Sequence, residues 1–81
     1  MQISIEFLGN QRIITKTDSI DMPISAKTTV NDVLEYVRRQ YPDLTLDEGM
    51  ILITVNKKMA SLDKILSSRD TVSFLPFISG G

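Results

Sequence analysis

Residues 29–42, TVNDVLEYVRRQYP, are the stretch from which the fold of this chain can be worked out. Thr29 can cap a first helical turn, and Asp32, three residues later, can complete a capping box. One helix face is apolar, at Val30, Val33, Leu34, Val37 and Tyr41. The other face is polar and is predicted to contact water, at Glu35, Arg38, Arg39 and Gln40. Since Pro42 disfavours helical geometry at the residue before it, the pattern predicts one core-packing helix of about three turns.

Two segments before this helix carry strand signals. Residues 2–8 alternate polar residues with apolar ones, namely Ile3, Ile5 and Phe7. A period of two is typical of a strand with one buried face. Residues 12–19 show no regular period, which predicts a turn or a short irregular stretch. A second strand is predicted near residues 20–25, at an edge of the sheet, because Pro23 cannot donate to a ladder.

The segments after the helix predict the rest of a sheet. A continuous apolar run at residues 50–55 suits a strand that the core covers well. Asn56 and Lys57 mark a turn into a short return strand at residues 58–61. The sequence SLDKILSS then predicts a single helical turn with three side chains directed inward, those of Leu62, Ile65 and Leu66. A loop over residues 67–70 leads to a last strand.

The predicted order is strand, strand, helix, strand, short strand, strand. One helix on one face of a mixed sheet is an α+β arrangement, and a last strand beside the first requires a connection that crosses the sheet with the helix between them. This is the order of the β-grasp, or ubiquitin-like, fold, here with four to five strands and one main helix packed on one face. We predict one such domain over residues 1–78 and a flexible C-terminal tail at residues 79–81.

The last predicted strand, at residues 71–77, ends in apolar residues. If Val72 and Phe74 face the helix, the same alternation places Leu75 and Phe77 on the opposite face. An exposed apolar patch beside a chain end favours a partner-binding surface. We predict that this surface comprises Leu75, Phe77, Ile78 and Ser79. The alternative is that the end of the strand folds back as a cap on the core.

Composition excludes several functions. The 81 residues include no histidine and no cysteine, so the usual proton-transfer residue, the thiol nucleophile and the commonest metal ligands are missing. We therefore expect no metal site and no bound cofactor, and the spacing of the carboxylates predicts no active site at Asp18, Asp21, Asp43, Asp47 and Glu48. Nine scattered basic residues against ten acidic ones do not favour nucleic-acid binding. Neither a signal peptide nor a membrane span is expected, which fits a cytoplasmic protein.

Gly80 and Gly81 indicate where the chemistry lies. Without side chains, the backbone can enter a narrow slot and present a terminal carboxylate. A carboxylate is a poor acyl electrophile, so a separate ATP-using enzyme would first convert it to an acyl adenylate. A sulfur or nitrogen nucleophile could then displace AMP. The protein is thus predicted to be a co-substrate that is not catalytic alone.

Nearly the whole chain resembles the MoaD/ThiS sulfur-carrier family. The likeness rests on the helix sequence above, on ITVNKKMASLDKIL and on the ending VSFLPFISGG. This ending is most similar to that of the small subunit of molybdopterin synthase, whose pattern is matched by Phe74, Pro76, Ser79, Gly80 and Gly81. Phe77 stands where that subunit usually has a second proline and is nearer to the thiazole-type ending. Lys57 and residues 68–70 stand where the family tends to place glycine-containing turns.

The resemblance implies a specific chemistry. An activating enzyme of the ubiquitin-activation type adenylates Gly81 with ATP and magnesium, and sulfur transfer then yields a C-terminal thiocarboxylate. In the molybdopterin branch the sulfur goes to a pterin precursor in a large catalytic subunit. In the thiazole branch the acceptor is a thiazole synthase. Two other classes stay open: a ubiquitin-like modifier joined through Gly81 to lysine, and a β-grasp interaction module without C-terminal chemistry.

Overall fold

The structure, a computed structural model, describes residues 1–44, 46 and 51–76. The described residues form five strands and two helices: β1 (Gln2–Glu6), α1 (Asn10–Thr15), β2 (Ser19–Pro23), α2 (Val30–Gln40), β3 (Ile51–Val55), β4 (Lys58–Met59) and β5 (Thr71–Pro76). The strands lie in the order β2-β1-β5-β3-β4. β1 and β5 are parallel and the other neighbours are antiparallel, which confirms the β-grasp prediction.

Helix α2 forms as its sequence predicts. The N–H of Asp32 donates to Thr29 Oγ1 at 3.3 Å, and the N–H of Thr29 donates to Asp32 Oδ2 at 2.9 Å, which is the capping box. The apolar face is buried, at Val30, Val33, Leu34 and Val37. It belongs to one core cluster with the inward residues of the sheet, including Ile3, Ile5, Phe7, Val72 and Phe74. Tyr41 is half-buried and meets the Phe7 ring edge-on, with ring centroids 5.5 Å apart.

Arg38 contacts water only in part, whereas the helix pattern predicts that it faces water. It is half-buried, and its Nε and Nη2 donate to the Leu46 carbonyl at 3.2 and 2.6 Å. The guanidinium has a fork of donors that suits such a paired contact, and it ties the chain after α2 back onto the helix. Arg39 and Gln40 are exposed, as predicted.

The predicted helical turn after β4 is limited to one hydrogen-bonded turn, in which the N–H of Lys64 donates to the Ser61 carbonyl at 3.2 Å. The segment then runs past the start of α2, where the N–H of Val30 donates to the Lys64 carbonyl at 3.0 Å and the N–H of Asn31 donates to the Leu62 carbonyl at 2.9 Å. The first N–H groups of a helix have no partner inside the helix, so this segment supplies one for each. Of the three side chains predicted to point inward, Leu66 is buried, Leu62 is half-buried and Ile65 is 57% exposed.

Helix α1 replaces the predicted irregular stretch between β1 and β2. Sequence periodicity misses it because it has only six residues and no buried apolar stripe: Ile13 is 73% and Ile14 is 41% exposed. Gly9 at its N-cap has a φ of 54° and supplies no side-chain cap. The helix ends at Lys16 in the left-handed conformation. The following strand, β2, lies at the sheet edge with Pro23 as its last residue, as predicted.

Lys57 and Arg69 occupy left-handed backbone positions, with φ angles of 70° and 72°. Asn56, with a φ of 52°, precedes Lys57 in the two-residue turn between β3 and β4, where positive φ at both positions matches the strand twist. Both lysine and arginine are strained in this region because of their Cβ atoms. These residues lie where the family that the sequence resembles tends to have glycine-containing turns. The chain keeps the left-handed backbone geometry of such turns without the glycines.

We expect Lys57→Gly and Arg69→Gly each to raise the free energy of unfolding by about 0.5–1 kcal/mol, because relief of left-handed strain exceeds the added entropy of the unfolded chain. Urea denaturation measures the change. The control is Lys58→Gly, one residue further along in β4, where φ is not positive and glycine should destabilise. Destabilisation by Lys57→Gly as large as that by Lys58→Gly would contradict the assigned strain.

Candidate functional site

The described chain ends on β5, the central strand of the sheet. On one side β5 pairs with β1, from Ser4 opposite Thr71 to Glu6 opposite Ser73. On the other side its pairing with β3 continues to Pro76. The last residues of β5 therefore extend beyond β1 with a strand neighbour on one side only. The remaining predicted site residues, Phe77, Ile78, Ser79, Gly80 and Gly81, lie outside the described residues.

Leu75 lies on the sheet face opposite α2, which we call the open face. Its neighbour in the chain, Phe74, is fully buried in the core on the α2 side. Leu75 itself is half-buried and lies directly opposite Leu52 of β3. The alternation predicted along the last strand therefore gives the observed placement of Leu75, while its contact with a partner stays a prediction.

Leu52 is a candidate site residue that the sequence analysis misses. The apolar run around it predicts a strand covered by the core, yet the register brings Leu52 to the open face beside Leu75, and it is half-buried. Most other residues on this face are polar, including Ser4, Glu6, Asp21, Thr54, Thr71 and Ser73. The apolar Met59 of β4 also lies on it, opposite Thr54, and is 73% exposed. The two leucines, here called the Leu52–Leu75 patch, thus form an apolar end on a polar face. Only the pairing of β3 with β5 reveals this.

Gln11 of α1 also reaches the end of β5. Its Nε2 donates to the Phe74 carbonyl at 2.7 Å, and its Oε1 accepts from the N–H of Leu8 at 3.1 Å. An open depression of about 300 Å³ lies beside this bridge, lined by Leu8, Gly9, Asn10, Gln11 and Leu75. Nothing in the local sequence signals the bond to β5, because Gln11 and Phe74 are 63 residues apart along the chain.

The described residues hold no group of three or more histidine, cysteine, aspartate or glutamate side chains suited to a metal ion. Within residues 1–44, 46 and 51–76, every buried polar side-chain atom also has a hydrogen-bond partner. No described helix is long and apolar enough to cross a membrane. The arrangement can present a chain end from a rigid sheet, next to an apolar pair. A β-grasp domain of this kind defines the ubiquitin-like class of carriers and modifiers.

Comparison with known proteins identifies the family. The sequence model of the ThiS family matches residues 5–81. The chain therefore belongs to the ThiS family. Among curated protein sequences, none matches this chain significantly.

Solved structures share the fold over almost the whole chain. The small archaeal modifier protein 1 from Methanosarcina acetivorans is 26% identical, with 99% of this chain and 96% of that chain covered and a TM-score of 0.79. Urm1 from Trypanosoma brucei is 26% identical, with 99% and 95% covered and a TM-score of 0.73. One chain in the complex of subunits 1 and 2 of molybdopterin-converting factor from Helicobacter pylori is 21% identical, with 100% of both chains covered and a TM-score of 0.68.

Proposed function

We propose that this chain is a sulfur carrier whose C-terminal Gly81 is adenylated and then converted to a thiocarboxylate, and that it is the small subunit of molybdopterin synthase. The observation that carries the proposal is the family match, which extends through the two final glycines. The position of β5 supports it, because this central strand is paired with β1 as far as Ser73 and with β3 as far as Pro76, so the tail begins next to a paired strand. The tail is residues 79–81, beyond a domain of residues 1–78.

The chemistry begins with a carboxylate oxygen of Gly81, which attacks the α-phosphate of ATP. Pyrophosphate leaves, and the product is an acyl adenylate. Hydrosulfide, the simplest sulfur nucleophile, then attacks the acyl carbon, AMP leaves with the C–O electron pair, and the product is a thiocarboxylate. ATP and magnesium belong to the activating enzyme, since this chain has no histidine or cysteine to promote either step. Gly80 admits the tail to the narrow slot that this enzyme must have.

Two partner proteins follow from this chemistry: a ubiquitin-activating-type adenylating enzyme and the large catalytic subunit of the synthase. We propose that both contact the Leu52–Leu75 patch together with Phe77, Ile78 and Ser79. The existence of a partner protein is supported by the Helicobacter pylori structure, which is a complex of subunits 1 and 2 of molybdopterin-converting factor. The absence of cysteine fits a cytoplasmic site of action.

Intact-mass spectrometry tests the reaction at Gly81. After incubation of this chain with the activating enzyme, ATP and a sulfur donor, we expect the mass to rise by the difference between one sulfur and one oxygen atom. Omission of ATP is the control and should leave the mass unchanged. No increase, under conditions that convert an established carrier, would exclude the proposed function.

Two further destinations for the activated glycine have support of their own. Phe77 gives the ending a thiazole-type feature, which favours delivery to a thiazole synthase. The likeness to a small archaeal modifier protein favours conjugation to lysine. Thiocarboxylated carrier incubated with the large subunit and a pterin precursor should return to its original mass if the molybdopterin assignment holds. Sulfur loss only with thiazole synthase, or isopeptide-linked conjugates in cells, would assign one of the other two.

A further inference from the structure

The parallel pairing of β1 with β5 sets a regular series of backbone hydrogen bonds. Ser4 lies opposite Thr71, and its N–H donates to the Asp70 carbonyl at 2.9 Å. Such bonds recur every two residues along a parallel ladder. The third bond of this series would therefore run from the N–H of Leu8 to the carbonyl of Phe74.

The side-chain amide of Gln11 occupies the place of that third bond. Its Oε1 accepts from the Leu8 N–H at 3.1 Å, and its Nε2 donates to the Phe74 carbonyl at 2.7 Å. A primary amide has both an acceptor and a donor, so it can satisfy the two ends of the interrupted bond. The amide joins the residues after β1 to β5, and the Phe74 carbonyl keeps a partner.

Beyond Phe74, the side of β5 that faces β1 has no further N–H. The backbone N–H and C=O groups of a strand point alternately to its two neighbours. Those of Leu75 therefore point to β3, where Leu75 lies opposite Leu52. The next residue directed towards β1 is Pro76, which has no N–H. Among the described residues, the Gln11 amide therefore makes the last hydrogen bond to β5 from that side.

We propose that Gln11 is a positioning residue that sets the direction in which the C-terminal tail leaves the domain, an inference that rests on the function proposed above. Gln11 holds the carbonyl of Phe74, seven residues before Gly81. Adenylation requires the Gly81 carboxylate to lie in line with the α-phosphate of ATP. A tail that starts from a fixed carbonyl has fewer conformations to lose before it reaches that geometry.

The test compares the wild type with Gln11→Glu and Gln11→Met in ATP–pyrophosphate exchange catalysed by the activating enzyme. A carboxylate can accept from the Leu8 N–H but cannot donate to the Phe74 carbonyl, and methionine keeps the length with neither bond. We expect kcat to fall about tenfold in both variants, because fewer bound tails are in reactive geometry. The KM for the carrier should stay within about threefold, because the Leu52–Leu75 patch is unchanged.

Gln40→Glu is the matched control, since it makes the same change in charge at an exposed residue at the end of α2. It should leave both kinetic constants unchanged. Backbone relaxation of the free carrier gives a second readout: the amide order parameter of Leu75 should fall in both Gln11 variants and stay constant in the control. Circular dichroism establishes that each variant is folded at the assay temperature. If one Gln11 variant unfolds, the kinetic constants of the other still test the proposal.

The possible outcomes separate this inference from the function on which it rests. Folded Gln11 variants with the wild-type kcat, or with a change in KM alone, would overturn the positioning role and leave the carrier function in place. Wild-type carrier that supports no exchange, with an activating enzyme shown to be active on its own carrier, would overturn the proposed function and this inference with it.

Discussion

Removal of Gly81 is expected to abolish both adenylation and sulfur transfer while leaving the melting temperature unchanged. The shortened chain still ends in a glycine carboxylate, that of Gly80, but this group lies one residue short of the position where the full-length tail reacts, about 3.3 Å in an extended chain. Pyrophosphate exchange and intact mass measure the loss of activity, and a thermal melt measures stability.

Two variants of the same tail serve as controls for this deletion. One alanine added after Gly81 should also block the reaction, because the carboxylate is displaced and a Cβ enters the slot. Gly81→Ala keeps the position of the carboxylate and should react more slowly than the wild type. Activity retained after the deletion would show that Gly81 is not the reacting residue. Unfolding on deletion would instead assign a structural role to the tail.

Truncation of Phe74 is expected to have the largest effect on stability. Phe74 is fully buried on the central strand, so Phe74→Ala should lower the free energy of unfolding by about 3–5 kcal/mol. A domain of this size has a total stability of only about 5–15 kcal/mol, so the variant should be near the limit of folding. Urea denaturation gives the difference directly.

Leu75→Ala, one residue further along, should give the opposite pattern. Leu75 is half-buried on the open face, so its truncation should cost much less stability than that of Phe74. It should weaken binding to the activating enzyme or the synthase subunit by about 1 kcal/mol, since leucine is seldom among the residues that dominate an interface. Phe77→Ala should also cost little stability, and it should weaken the same binding by more than about 2 kcal/mol because exposed aromatic anchors often carry that much interface energy. The reverse result, with unfolding of Leu75→Ala and weak binding by a stable Phe74→Ala, would place the register of the last strand one residue away.

Local features of the structure could be predicted because their physical causes lie within a few residues. The capping box joins Thr29 to Asp32, and the buried face of α2 follows from contacts three and four residues apart. Alternation in β1 and β5 likewise places Ile3, Ile5 and Phe74 in the core and Leu75 on the other face. The two final glycines are themselves the signal for the chemistry proposed at Gly81.

The remaining features depend on partners that are distant in the chain, and only the tertiary structure decides them. Helix α1 has no apolar stripe, and its Gln11 bonds to a strand 63 residues away. The segment after β4 lies against the start of α2, where its carbonyls accept from the first N–H groups of that helix, and its own periodicity does not reveal this contact. Leu52 reaches the open face through its register with β5. Long-range hydrogen bonds of this kind leave no period in the sequence. Local patterns therefore predict most elements of the fold, whereas the pairing of distant segments decides the surroundings of the C-terminal tail.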